Sequence, residues 1–219
     1  MGPSLKATIF DQDGTLLDTE GLQWTGWKVA LKKYGVNLSL KEYLNYAGKT
    51  GAKVEKEIIE NCHLDVREGE LLKEKVRLLM KWLNGEKIRP MPYALDTIDF
   101  FRKKALKIAI ASGGSRAEVE LKLKRTGISH LFDAISTRSE AINGKPAPDI
   151  YLNAAKALGI SPENCIAFED TMYGVQSAKA AGMKCFAIPN KYTRKQDFSL
   201  ADGVFRDLRE AARAVFENK

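Results

Sequence analysis

Cysteine and histidine are scarce, with three of the former and two of the latter in 219 residues. Cys62, Cys165 and Cys185 form no C-x-x-C pair and are odd in number, which argues against a disulfide framework. Cys165 and Cys185 lie in apolar runs and read as core packing, while Cys62-His63 is the one adjacent soft-ligand pair. With His63 and His130 so far apart, a histidine-rich metal centre is excluded, and any metal is expected to be a hard ion held by oxygen. No apolar run is long enough to cross a bilayer. The opening Met1-Gly2-Pro3-Ser4-Leu5-Lys6 lacks the apolar stretch of a secretory signal, and Lys6 spoils a myristoylation pattern. Repeats and low-complexity tracts are also missing. The net charge of +7 comes from Lys and Arg dispersed among Glu and Asp, with no basic tract interleaved with aromatics. A soluble cytoplasmic protein is expected, monomeric or weakly dimeric, with no nucleic-acid or membrane partner. The positive field can steer a small anionic ligand or merely solvate the surface.

What is present is an alternation of short β-rich runs and helical patterns. Candidate strands fall at 7–10, 108–111, 132–136, 165–168 and 184–188, with helices near 116–125, 149–158 and 175–181. Strands apolar throughout, alternating with helices, indicate a parallel sheet with crossover helices. The segment from about Thr19 to Lys87 breaks the rhythm. Trp24, Trp27, Leu31 and Tyr34, then Leu72, Val76, Leu79 and Leu83, recur at helical spacing with no strand between them. Pro90-Met91-Pro92 marks the return to the sheet. The expected architecture is an α/β fold with an inserted, mobile, all-helical cap. Its core spans 1–17 and 91–219, and its cap spans 18–90.

The polar residues fall at the strand ends. Asp11 and Asp13 follow the first strand, Ser112 the second, Glu169 and Asp170 the fourth, and Lys145 lies in a loop beyond the third. In an open parallel sheet these ends share one edge, where ligands bind. Several carboxylates with one lysine and one hydroxyl suit a magnesium–phosphate site, because magnesium accepts few protein carboxylates and keeps water or phosphate as its other ligands. Gly14, Gly113 and Gly114 let main-chain N–H groups approach an anion.

Four segments carry a resemblance: Asp11-Gln12-Asp13-Gly14-Thr15, Ser112 at a strand end, Gly144-Lys145-Pro146-Ala147-Pro148-Asp149, and Phe168-Glu169-Asp170-Thr171. In this order and at these places the sequence resembles the haloacid dehalogenase-like hydrolases, in the branch of β-phosphoglucomutase and the sugar phosphatases. The resemblance implies a three-layer Rossmann-like core with the first and fourth strands adjacent. It implies that Asp11 is the nucleophile and Asp13 the general acid and base. The implied magnesium ligands are Asp11, the main-chain carbonyl of Asp13, Asp170, and Glu169 through water. Phosphate would meet Lys145, Ser112, the amide of Gly113 and the amide of Gln12. Glu20, Gln23, Lys49, Thr50 and Arg116 are candidate substrate residues, although Lys49-Thr50 can equally be a solvated turn and Arg116 an exposed helical arginine. Trp24 and Trp27 read as packing.

Gln23 and Gly51 stand where the sugar mutases carry a histidine and an arginine. The expected activity is therefore magnesium-dependent hydrolysis of a small phosphorylated metabolite, a sugar phosphate, through an aspartyl-phosphate. A β-phosphoglucomutase-like isomerase is the alternative, and a non-catalytic binding module the remoter one.

Overall fold

The computed structural model of the chain describes residues 4–85 and 88–217. The reading of Met1-Gly2-Pro3, and residues 86–87 of the expected cap, lie outside the described residues. Six strands form one sheet: β1 (Ala7–Phe10), β2 (Lys107–Ser112), β3 (Ala134–Thr137), β4 (Cys165–Glu169), β5 (Lys184–Ala187) and β6 (Gly203–Val204). Their order is β3-β2-β1-β4-β5-β6 and every pairing is parallel. The chain runs outward from β1 to β3, then returns to β4 on the other side of β1. The switch point of the sheet thus falls between β1 and β4, where Phe10 pairs with Phe168.

Alternation along β1 sends its side chains to two cores. Phe10 joins Ile108, Ile110 and Phe168 on one face, beneath α5 (Ala94–Lys103), α6 (Arg116–Thr126) and α9 (Leu208–Glu217). Ile9 joins Ala109, Ala167 and Tyr151 on the other, beneath α7 (Asp149–Leu158) and α8 (Met172–Ala180). All four β1 residues are buried, which is why the strand reads as an unbroken apolar run. The rings of Phe10 and Phe168 stack with centroids 4.8 Å apart across the switch point. The two aspartate-bearing strands are therefore held together by apolar packing as well as by main-chain bonds.

Four elements differ from expectation. Helices α5 and α9 lie hidden in charged sequence, and β6 is only two residues long. Strand β3 starts at Ala134, because Asp133 instead folds its carboxylate back to accept from the Ile108 N–H at 2.9 Å.

Between β1 and α5 stand α1 (Glu20–Lys32), α2 (Leu40–Tyr43), α3 (Gly51–Cys62) and α4 (Glu70–Gly85), with no strand among the described residues of this segment. They surround their own apolar cluster, which includes Trp27, Leu31, Tyr43, Val54, Ile58 and Leu71. The buried stripe of α4 is Leu71, Lys75, Leu79 and Leu83, so a lysine occupies a position that the expected apolar stripe assigned to Val76. Leu79 and Leu83 pack with Leu16 and Leu17 in the core beneath the sheet. The insertion leaves and rejoins the core through an antiparallel crossing. There Met91 N–H donates to the Leu16 carbonyl at 2.8 Å and Asp18 N–H to that of Arg89 at 3.0 Å. No helix among the described residues is long and apolar enough to cross a membrane.

Candidate active site

Asp11 leaves the end of β1 with its N–H donating to the Phe168 carbonyl of β4 at 3.0 Å. That bond carries the sheet register one residue beyond the strand and sets Asp11 beside Glu169. The chain then turns sharply: Leu16 N–H returns to the Gln12 carbonyl at 3.0 Å and Gly14 N–H to that of Leu17 at 2.8 Å. Gly14 has φ of +83°, and a Cβ there would lie 2.4 Å from Asp170 Oδ2. Both the turn and the nearness of a carboxylate require glycine at this position.

Oxygen atoms of Asp11, Glu169 and Asp170 lie within 4.8 Å of one another, and all three residues are buried. Lys145 enters from the loop before α7. Its Nζ donates to Asp11 Oδ1 at 2.6 Å, to Glu169 Oε1 at 2.5 Å and to the Ala111 carbonyl at 3.0 Å. Glu169 Oε1 also accepts from the Tyr151 hydroxyl at 2.8 Å. Asp170 accepts from Thr15 Oγ1 at 3.2 Å and from Asn190 Nδ2 at 2.7 Å.

The electrostatics follow from three buried acids and one ammonium, which pairs with Asp11 and Glu169. Burial pushes the Asp11 carboxyl well above its ordinary range; Lys145 pulls it down, and Glu169 and Asp13 push it further up. Burial likewise raises Asp170, with Asp11 and Glu169 adding to the rise. Burial works against the charge of Lys145, but Asp11 and Glu169 outweigh it and hold the ammonium above its usual range. A buried cluster of oxygen donors with more acids than counter-ions fits a small hard cation.

A cavity of about 680 Å³ opens above this cluster, between the sheet edge and the insertion. Asp11, Asp13, Gly113 and Lys145 line it from the core, and Glu20, Gln23, Lys49 and Thr50 from the insertion. Glu20 is buried and accepts from the Tyr43 hydroxyl at 2.5 Å; burial raises its carboxyl to about 6. Lys49 pairs with Glu57 at 2.6 Å, and Thr50 caps α3 by accepting from the Lys53 N–H. The insertion loop lies close on the core, since a Cβ at Gly48 would fall 2.7 Å from the Thr171 Cβ.

Four expected residues stay beneath the cavity surface: Glu169 and Asp170 in the acidic cluster, and Gln12 and Ser112 beside it. Gln12 is buried and donates its side-chain amide to the Val119 carbonyl at 3.3 Å. Ser112 is buried and its Oγ accepts from the Gly114 N–H at 3.1 Å. Arg116 is not brought to the cavity: its guanidinium donates to Glu140 at 3.0 Å and to the Ile135 carbonyl at 2.9 Å, which ties α6 to the end of β3.

The structure also brings in residues that the sequence does not single out. Asn190 lies just past β5, so its place at a strand end is a usable signal. Lys75, Glu118 and Lys122 give none, because charges spaced by four on a helix read as a solvated face. Lys75 and Glu118 line the cavity, and Lys122 is buried behind Asp13.

Residues 8–188 match the family model of the haloacid dehalogenase-like hydrolases. The chain is 33% identical over 217 residues to protein CbbY of Rhodobacter capsulatus, covering 95% of this chain and 96% of that one. It is 32% identical over 175 residues to the fructose-1-phosphate phosphatase YqaB of Escherichia coli strain K12, covering 80% and 92%. Among solved structures, a variant of CbbY from Rhodobacter sphaeroides in complex with xylulose-1,5-bisphosphate superposes with a TM-score of 0.82. It is 26% identical, with 94% of this chain and 96% of that one covered.

Proposed function

This chain belongs to the haloacid dehalogenase-like hydrolases, and from that membership we propose that it hydrolyses a small sugar phosphate by way of an aspartyl-phosphate on Asp11. The observation that carries the reading is the buried cluster of Asp11, Glu169 and Asp170 at the switch point of the sheet, with Lys145 paired to Asp11 and Glu169, and with Asp11 and Lys145 lining the cavity above. The names of two relatives, a fructose-1-phosphate phosphatase and a protein bound to a sugar bisphosphate, support sugar phosphate as the substrate class.

In this reading an oxygen of Asp11 attacks phosphorus and the ester oxygen leaves, taking a proton from Asp13. Water then attacks the phosphoryl group on Asp11 and gives its proton back to Asp13, so phosphate leaves and both carboxyls are restored. Lys145, the amides of Gln12 and Gly113, and Ser112 hold the phosphoryl oxygens. Magnesium would be held by Asp11, Asp170, the main-chain carbonyl of Asp13 and, through water, Glu169; when bound it supplies positive charge against the phosphoryl oxygens. The helical insertion serves as a cap that closes the cavity and selects the sugar. The core spans 1–17 and 91–219, and the cap 18–90.

Two positions favour hydrolysis over phosphoryl return to a sugar hydroxyl. Gln23 is engaged with Glu118, to which it donates at 2.9 Å, and with Lys75. At Gly51 a Cβ would meet Leu72 Cδ1 at 2.6 Å, so the cavity wall there is shaped for a small residue. The test is a panel of sugar phosphates assayed with magnesium, including β-glucose 1-phosphate with a bisphosphate activator. Free phosphate is expected to dominate the products. Glucose 6-phosphate with little free phosphate would replace hydrolase with mutase, and turnover of no member would overturn the phosphatase reading.

A further inference from the structure

Lys122 is a fully buried lysine on α6, behind the cavity rather than in it. Its Nζ donates to both oxygens of Asp13, at 2.6 and 2.8 Å, and to Glu118 Oε1 at 2.5 Å, one turn earlier on the same helix. Thr19 Oγ1 donates to Asp13 Oδ1 as well. Glu118, also buried, accepts from Gln23 Nε2 at 2.9 Å, and Gln23 Oε1 in turn accepts from Lys75 Nζ. An unbroken chain of polar contacts therefore runs from α4 and α1 of the insertion, through α6 of the core, to the carboxylate of Asp13. Burying an ammonium is costly unless it is paired and hydrogen-bonded, and here the pairing falls on two carboxylates. One of them belongs to the helix itself. The other is the residue that must hand over and receive a proton.

We propose that Lys122 is a positioning residue for Asp13, anchored by Glu118, and that the Gln23–Glu118 bond makes this anchoring depend on how the insertion sits. The inference rests on the phosphatase reading, in which Asp13 moves the proton. With both oxygens tied to one ammonium, the Asp13 carboxylate keeps a fixed plane toward the cavity. Proton transfer demands placement within hydrogen-bond reach of the reacting atom, so a carboxylate free to rotate is a poor acid and base. Lifting the insertion removes Gln23 from Glu118, and the anchor of Lys122 loosens with it. Asp13 is then placed for proton transfer when the cavity is closed and substrate is sequestered.

p-Nitrophenyl phosphate separates this role from a structural one, because nitrophenolate departs without a proton whereas water attack on the phosphoryl–Asp11 still needs Asp13 as base. In stopped-flow mixing with magnesium, Lys122→Met is expected to release nitrophenolate in a burst approaching one equivalent per site. Turnover after the burst should be slowed about 10²-fold, the low end of general acid–base contributions. Asp13→Asn should show the same pattern, and Gln23→Leu a slowed second step with the burst retained. Because Lys122→Met leaves Glu118 without its counter-ion, Lys122→Met/Glu118→Gln serves as the second variant if the first does not fold. Wild-type kinetics in a folded Lys122 variant, or equal losses in both steps without a burst, would overturn the positioning role. Wild-type kinetics in Gln23→Leu would overturn its dependence on the insertion. If wild-type protein releases neither nitrophenolate nor phosphate from any ester, the phosphatase reading itself fails and this inference falls with it.

Discussion

Glu20 shows how a single side chain registers burial at the cavity wall. It lies on the first turn of α1, yet burial between Tyr43 and the core raises its carboxyl to about 6 from an ordinary 4.5. The folded protein therefore binds this proton more tightly than the unfolded chain. The favourable contribution is complete below pH 4.5 and is lost as pH rises through about 6. The loss amounts to about 2 kcal/mol, since each tenfold difference in proton affinity is worth about 1.36 kcal/mol. Denaturant unfolding of wild type and Glu20→Gln across this range should show the difference: wild type declines relative to the variant by that amount, and parallel curves would refute the assignment. Legibility is uneven at this scale. Asp11, Asp13, Glu169 and Asp170 are visible in the sequence because they end or follow apolar runs, and Lys145 because its loop follows a strand and carries a motif. Arg116 is left open by the sequence between a substrate residue and an exposed helical arginine, because nothing there distinguishes a helical arginine facing the cavity from one tied to Glu140. Lys122 and Glu118 are invisible because their burial depends on which face of α6 meets the core.

At the scale of elements, α8 illustrates how tightly a helix start can be fitted to a site. Thr171 caps it by accepting from the Gly174 N–H at 3.0 Å, and the same hydroxyl donates to Glu169 Oε2 at 3.2 Å. A Cβ on Gly174 would fall 1.9 Å from the Glu169 carboxylate carbon. Gly174→Ala must therefore push Glu169 off Lys145 and Tyr151. The expected cost is about 1–3 kcal/mol of stability, as for other overpacked interiors. Turnover should fall at least about tenfold, the scale seen when groups supporting a metal site are disturbed. Thermal unfolding together with magnesium titration of activity would check both, and an unperturbed variant would show that the α8 start is not fitted to the site. Strands β1, β2, β4 and β5 can be read directly, since burial on both faces leaves an apolar run, whereas the two partly exposed residues of β6 leave none. Helices α5 and α9 cannot, because only one face of each is buried and charged residues fill the rest. The insertion is readable as helical from its spacing, but the lysine in the α4 stripe is not.

For the whole molecule, the switch point gathers three buried carboxylates with one lysine among them, and the insertion lines the far side of the cavity above. Such a cluster should bind a divalent cation to the folded state alone. Saturating magnesium is then expected to raise the unfolding free energy by about 2.7 kcal/mol at one hundred times its dissociation constant, and chelation to reverse the gain. Unfolding curves that coincide with and without magnesium would argue against the cluster as its site. The overall arrangement can be anticipated because each motif follows a strand of one parallel sheet, whose strand ends share one edge whatever their order across it. The shape of the cavity cannot, since it is set by how α1, α3 and α4 lean on the core. The central claim is that Asp11 carries the phosphoryl group between two displacements. It is tested most directly by the stereochemical course at phosphorus, using a turned-over sugar phosphate labelled with sulfur and oxygen isotopes so that the released phosphate is chiral. Two in-line displacements predict overall retention of configuration; inversion would mean that water attacks the substrate directly and that Asp11 is not the nucleophile.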